Sequence, residues 1–253
     1  MKLVFLGTGT STGVPQIRCR CSVCTSADAR DRRLRASALV TTDSDRNLLI
    51  DCGPDFRYQM LREGSPTLDA LLVTHSHYDH VGGIDDLRPY CADGPFPVYC
   101  RKDVATDLRN RIPYCFAEHL YPGVPTFTLH EIDTHTPFKV GPDMITPLPV
   151  MHARLPIVGF RIRQLAYITD CKTMPAETLL LLKNLDTLVI NALRHEEHMS
   201  HLNLQQALDV IKTVKPKRAY LTHLAHQMGM HAQVEATLPT GVHIAYDGME
   251  IEI

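Results

Sequence analysis

Short apolar β-type runs recur along the chain and alternate with amphipathic stretches. Lys2 to Gly7, Ala36 to Thr42, Asn47 to Cys52, Leu71 to His75, Val98 to Cys100, Met144 to Met151, Gly159 to Arg163, Ala166 to Asp170, Thr187 to Asn191, Arg218 to His223 and His243 to Tyr246 read as strands. Between them, Pro54 to Glu63, Asp85 to Tyr90, Val104 to Arg111, Pro175 to Asn184 and Leu204 to Val214 carry the wider spacing of amphipathic helices. Several open on proline or on a capping polar residue such as Asn203. Hairpin-like strand pairs mixed with crossover helices predict mixed sheets, each covered by helices on one side. No linker or low-complexity block divides the chain, so one domain over residues 1–253 is expected.

Composition narrows the class. Hydrophobic residues are 44% of 253, enough for a sizeable core, and the net charge of -2 gives no argument for a nucleic-acid or acidic-surface partner. The apolar start, Met1 to Leu6, is cut by Gly7-Thr8-Gly9 and is too short for a signal sequence. No apolar segment approaches the ~20 residues that cross a bilayer. The expectation is a cytoplasmic protein whose 8 cysteines are thiols or metal ligands.

The chemistry concentrates in His75-Ser76-His77-Tyr78-Asp79-His80, directly after a strand and ahead of Gly82-Gly83. Imidazole and carboxylate bind divalent cations at neutral pH, and one turn with this spacing can serve two ions. A second cluster, Cys19-Arg20-Cys21-Ser22-Val23-Cys24, places three thiolates on one tetrahedral ion and leaves a fourth ligand to come from elsewhere. Cys52, Cys91, Cys100, Cys115 and Cys171 stand singly and read as neutral thiols.

A weak internal echo selects the remaining ligands. Leu49-Ile50-Asp51-Cys52 resembles Ile168-Thr169-Asp170-Cys171, and Leu72-Val73-Thr74-His75 resembles Tyr220-Leu221-Thr222-His223. If the halves are equivalent, strand ends meet at one edge of a two-sheet sandwich, and His152 ends a strand in the same way. The expected arrangement is His75, His77, His152 and Asp170 around one metal, and Asp79, His80, Asp170 and His223 around the other. Asp170 bridges, because a carboxylate offers two oxygens. Asp51 is expected to orient a ligand imidazole by accepting its other N–H.

With these residues in place, the chain resembles the metallo-β-lactamase superfamily over nearly its whole length. Gly7-Thr8-Gly9, the cysteine cluster, Thr222-His223-Leu224-Ala225-His226-Gln227 and Tyr246-Asp247-Gly248-Met249-Glu250 are similar to the PhnP-type phosphoribosyl cyclic phosphodiesterases. The resemblance implies an α+β fold, an αββα sandwich of two mixed sheets flanked by helices. It implies two active-site divalent ions, described with manganese, nickel or zinc, and a structural zinc on Cys19, Cys21, Cys24 and His226. The implied reaction is hydrolysis of 5-phospho-α-D-ribosyl 1,2-cyclic phosphate to ribose 1,5-bisphosphate, with a small-molecule substrate and a homodimer. His201 matches a family histidine beside the site and is expected to act as general acid or to stabilise phosphate. Asp79 and Asp170 join it as catalytic residues, since they hold the ions that would turn a bridging water into hydroxide.

Other motifs are read more plainly. The third glycine after Gly7 and Gly9 falls one place late for a dinucleotide fingerprint, which leaves a tight turn. His195 and His198 read as a solvated loop, and Arg154 and Arg194 as unassigned rim cations. A tRNA 3′-end endonuclease would carry a basic arm that is absent here. A PqqB-like oxidoreductase shares the cysteine element but departs from the metal loop that stands intact in this chain. A zinc-stapled binding module would leave the second metal set idle.

Overall fold

The computed structural model describes residues 1–253. Strands β1 (Lys2–Gly7), β2 (Ser37–Thr41), β3 (Asn47–Ile50), β4 (Ala70–Leu72), β5 (Phe96–Cys100) and β6 (Phe127–Glu131) lie side by side in that order. The second sheet runs β7 (Phe138–Val140), β8 (Asp143–His152), β9 (Leu155–Ile162), β10 (Leu165–Ile168), β11 (Thr187–Asn191), β12 (Arg218–Thr222) and β13 (Val242–Ile244). The last strand, β14 (Glu250–Glu252), returns to pair with β1. Helices α1 (Phe56–Arg62), α2 (Tyr78–Val81) and α3 (Lys102–Arg111) belong to the first half, and α4 (Ala176–Leu181), α5 (Leu204–Val214) and α6 (His231–Glu235) to the second.

Alternation along each strand builds the layers. Leu3 and Phe5 pack between the sheets with Leu48, Ile50, Phe160 and Tyr167, while Val4, Leu6 and Leu49 face Phe56 and Met60 of α1 and Leu108 of α3. In the second sheet Val189 turns inward, and Leu188 and Ile190 pack against Ala207 and Ile211 of α5. Both faces of both sheets are therefore apolar, which is why these strands read as almost continuous hydrophobic runs. The result is the αββα sandwich of two mixed sheets flanked by helices.

The two sheets share one pairing pattern: three antiparallel neighbours followed by three parallel ones, from β14 to β6 and from β7 to β13. In this order β3 corresponds to β10, so the Asp51 and Asp170 echo falls on equivalent strands. The second half of the echo does not: β4 corresponds to β11, and His223 follows β12. Sequence pattern also missed β6, β7 and β14, three edge strands with polar outer faces, and began β9 four residues late. Asp85 to Tyr90 lies in a 3-10 helix, Ile84–Cys91, with Pro89 inside it.

Candidate metal centre

Strand ends make the site. Asp51 after β3, Asp170 after β10 and His223 after β12 adopt φ of 60°, 54° and 56°. Non-glycine residues rarely occupy this left-handed region, and those that do cluster where structure around them enforces a functional geometry. The chain leaves the sheet at each position and the side chain turns into the cleft. His75 and His77 lie on the loop after β4, and Asp79 and His80 on α2, whose short turn aims both at the same cleft.

One donor set is compact. Asp79, His80, Asp170 and His223 are buried, with ligand atoms all within 4.8 Å of one another. His80 Nε2 lies 3.2 Å from both Asp79 Oδ2 and Asp170 Oδ2, and His223 Nε2 lies 3.1 Å from Asp170 Oδ1. Yet His80 Nε2 and both ring nitrogens of His223 have no hydrogen-bond partner. Buried polar atoms without partners are rare. Lone pairs that converge on a common point rather than on one another suit a cation, and two imidazoles with two carboxylates are the chemistry for a divalent one.

The other predicted ligands lie beside this set. His75 Nε2 is 3.1 Å from His77 Nδ1. The His152 ring centre is 5.2 Å from that of His77 and 5.8 Å from that of His75. His152 Nδ1 lies 2.9 Å from the carbonyls of Asp170 and Ser200, so this nitrogen donates to them and Nε2 is left as the ligand. His201 Nε2 is 3.0 Å from Asp170 Oδ1, and His152, Asp170 and His201 form a third group within 4.8 Å. The predicted site residues thus lie together in the cleft, His75 and His77 against the rings of His80 and His152 and the others around Asp170.

The histidines of the cleft divide: burial alone would lower His80, but Asp170, Asp51 and Asp79 push it well above the ordinary histidine range. Burial pushes His75 well below the ordinary histidine range and lowers His77, with His152 adding to the effect. Burial would raise Asp79 and Asp170, but His80 and His223 outweigh it and hold both carboxyls below the usual range. Asp51 accepts from Thr74 N–H and Thr74 Oγ1 at 2.8 Å each and faces His80 Nδ1 at 2.7 Å, the ligand-orienting position expected of it. Thr74, which has no sequence signal of its own, also reaches His75 Nδ1 at 3.0 Å.

The cysteine cluster closes on His226. Its Nδ1 is 3.2 Å from Cys21 Sγ and 3.6 Å from Cys19 Sγ, and with Cys24 the four donors lie within 4.8 Å. All cysteines are free, and burial pushes the Cys100 and Cys171 thiols up to about 12, consistent with neutral groups. The solvated-loop reading holds for His195, which is exposed although its Nε2 lies 2.9 Å from the Met228 carbonyl, and needs correction for His198, which is half-buried against His201. The histidine spacing of three in His195, His198 and His201 was the available signal. Arg154 is exposed, and Arg194 donates to the Glu197 carbonyl.

These features define a metallo-hydrolase site on a two-sheet sandwich, and the chain belongs to the beta-lactamase superfamily, whose domain model matches residues 46–224. Within that superfamily, a crystal structure described as a new diphosphatase from the PhnP family is 36% identical, with a TM-score of 0.92 over 100% of this chain and 97% of that one. An octanoyltransferase of Porphyromonas gingivalis is 44% identical over 99% of this chain and 51% of its own length. Zinc-bound PqqB from Methylobacterium extorquens, at 22% identity and a TM-score of 0.82 over 100% of both chains, shares the fold. The chain spans about half the length of the octanoyltransferase it matches. No helix is long and apolar enough to cross a membrane.

Proposed function

We propose that the chain hydrolyses a small cyclic phosphodiester, with 5-phospho-α-D-ribosyl 1,2-cyclic phosphate as substrate and ribose 1,5-bisphosphate as product. The observation that carries the reading is the meeting of two donor sets on Asp170 with His201 beside them, 3.0 Å from its carboxylate. Cations held by His75, His77, His152 and Asp170, and by Asp79, His80, Asp170 and His223, would supply an acidified water and charge neutralisation at phosphorus. No nucleophilic side chain is needed.

His201 handles the departing oxygen. Burial lowers its ring to about 4, against the hydrogen bond with Asp170, so it is neutral at pH 7. A neutral imidazole with hydrogen on Nε2 can donate to an oxygen that gains charge as the P–O bond breaks, as neutral histidine electrophiles do elsewhere. The PhnP-family relative, described as a diphosphatase, supports cleavage of a bond between phosphorus and oxygen.

The test is a product-identified assay, with added manganese, that compares ribosyl 1,2-cyclic phosphate, 2′,3′-cyclic nucleotides and diphosphates alongside elemental analysis. Preferential conversion of the ribosyl compound is expected, with two ions in the cleft and zinc in the cysteine site. Turnover of none of these esters by the metal-loaded protein would refute the proposal. One observation favours a second reading: the 44% identical relative is named octanoyltransferase. The same water attack suits an acyl carbon, and hydrolysis of an octanoyl thioester in the same assay decides between them.

A further inference from the structure

His226, a donor to the cysteine cluster, stands three residues after His223, a donor to the cleft, so one short segment carries a ligand for each site. Between them Leu224 is fully buried; it donates to the Thr8 carbonyl at 2.9 Å and accepts from the Thr10 N–H at 3.0 Å, while Ala225 donates to the Leu193 carbonyl at 2.9 Å. Other cleft histidines are aimed through their rings: His75 Nδ1 meets Thr74, His80 Nδ1 meets Asp51 and His152 Nδ1 meets two backbone carbonyls. His223 is not. Its Nδ1 is buried and has no partner, so its direction depends on its backbone, which holds the left-handed φ of 56°. A non-glycine residue keeps that conformation only where the chain around it enforces it. Strand β12 does so on one side, and the segment from Leu224 to His226 on the other.

The lobe that His226 joins has little to hold it except a cation. From Thr10 to Asp28 the chain forms only turns, bends and one isolated bridge, Val14 to Arg33. Its buried apolar cluster is Val14, Val23 and Cys24. So small a core does not offset the entropy of ordering such a segment, whereas a tetrahedral ion on three thiolates and an imidazole supplies folding free energy outright. The lobe starts where Thr8 and Thr10 pair with Leu224, and it is fastened at Val14, which exchanges hydrogen bonds with Arg33 at 2.8 and 2.7 Å. Order in it therefore reaches His223 by two routes, along the chain from His226 and across it from Thr8 and Thr10. We infer that His226 is a positioning residue for His223: a cation held by Cys19, Cys21, Cys24 and His226 fixes the backbone that aims His223 and so strengthens cation binding in the cleft. This rests on the cleft holding cations, as the phosphodiester reading requires, and not on which ester is cleaved.

Coupling between two sites is reciprocal and can be read from binding alone. Manganese, which thiolates take up poorly, reports on the cleft, and one equivalent of zinc fills the cysteine site. Titration of the whole chain with manganese, followed by electron paramagnetic resonance, should show about tenfold tighter binding to the zinc-loaded than to the zinc-free protein. Cys19→Ala, with zinc present, should bind manganese as the zinc-free protein does; if circular dichroism shows that it does not fold, the comparison of the unsubstituted chain with and without zinc decides by itself. His223→Ala separates positioning from general support of the fold, since the manganese that it still binds should be indifferent to zinc. Equal manganese affinity with and without zinc in the unsubstituted chain, or an undiminished zinc effect in His223→Ala, overturns the inference and leaves the phosphodiester reading standing. Failure of manganese to bind in either state removes the dinuclear cleft, and the phosphodiester reading falls together with the inference.

Discussion

Asp170 joins more of the cleft than any other side chain, facing His80, His201 and His223 from two carboxylate oxygens that are almost fully buried. Asp170→Asn keeps its shape and removes its charge. We expect this variant to lose bound metal, seen by elemental analysis, and roughly 100-fold or more in turnover of bis(p-nitrophenyl) phosphate. Full activity in it, or in His75→Ala, would refute the proposed dinuclear centre. Cys21 gives a second test at this scale. The Cys24 backbone N–H lowers its thiol against the effect of burial, and His226 helps to hold it at about 6, while burial pushes Cys24 up to about 11. Cys21 is therefore a thiolate above pH 6, and in metal-free protein its alkylation should rise through that pH and precede that of the other thiols, which peptide mapping after iodoacetamide would show. The identity of these residues was legible in the sequence. Which ring nitrogen each histidine offers was not, because Asp51, Thr74 and the Asp170 carbonyl decide it from distant positions.

Among the elements, β3, β4 and α2 act as one unit through Asp51, whose carboxylate takes Thr74 from the loop after β4 and His80 from α2. Asp51→Asn would set an amide N–H against one of these donors. Its expected effect is a 10–100-fold weaker hold on metal with the fold retained, measured by metal titration and circular dichroism. The turn beneath this unit demands glycine: a Cβ at Gly53 would lie 2.1 Å from the Asp79 carbonyl, and one at Gly83 would lie 2.0 Å from the Gly53 carbonyl. Central strands were readable because both faces are buried and the apolar run is continuous. The edges β6, β7 and β14 carry polar residues on one side and gain their hydrogen bonds from neighbours distant in sequence, so no local pattern marks them. Helix α2 was missed because its few residues are chosen for chemistry, not for periodicity.

At the scale of the whole molecule, the N-terminal loop and the C-terminal segment close around the site. Leu224, next to His223, exchanges hydrogen bonds with Thr8 and Thr10 at 2.9 and 3.0 Å, and Asp247 takes the Thr8 and Leu34 N–H groups at 2.9 and 2.6 Å. Burial raises Asp247 to about 6 despite those bonds. A carboxyl raised by folding binds its proton more tightly in the native state, so its contribution to stability is present below pH ~4 and is lost as pH rises through about 6. The stability of the unsubstituted chain relative to Asp247→Asn should therefore fall, by up to about 3 kcal/mol, between pH 4 and 7 in denaturant titrations. A flat difference across that range would contradict a buried, raised Asp247. The repeat of one sheet topology explains why the Asp51 and Asp170 strings look alike. The histidine part of the echo does not follow from that repeat, since His75 follows β4 and His223 follows β12, which are not equivalent strands.

By itself the sequence determined the inventory of donors, since His75 to His80, the cysteine cluster and the buried strands are local strings whose chemistry and alternation do not depend on context. The sequence also named Asp170 as the bridge between the sets; only the tertiary structure decided that His201 and His198 stand in contact and which nitrogens face the cleft. Those outcomes depend on distances of a few ångströms between strand ends far apart in the chain, and such distances exist only once two sheets have packed.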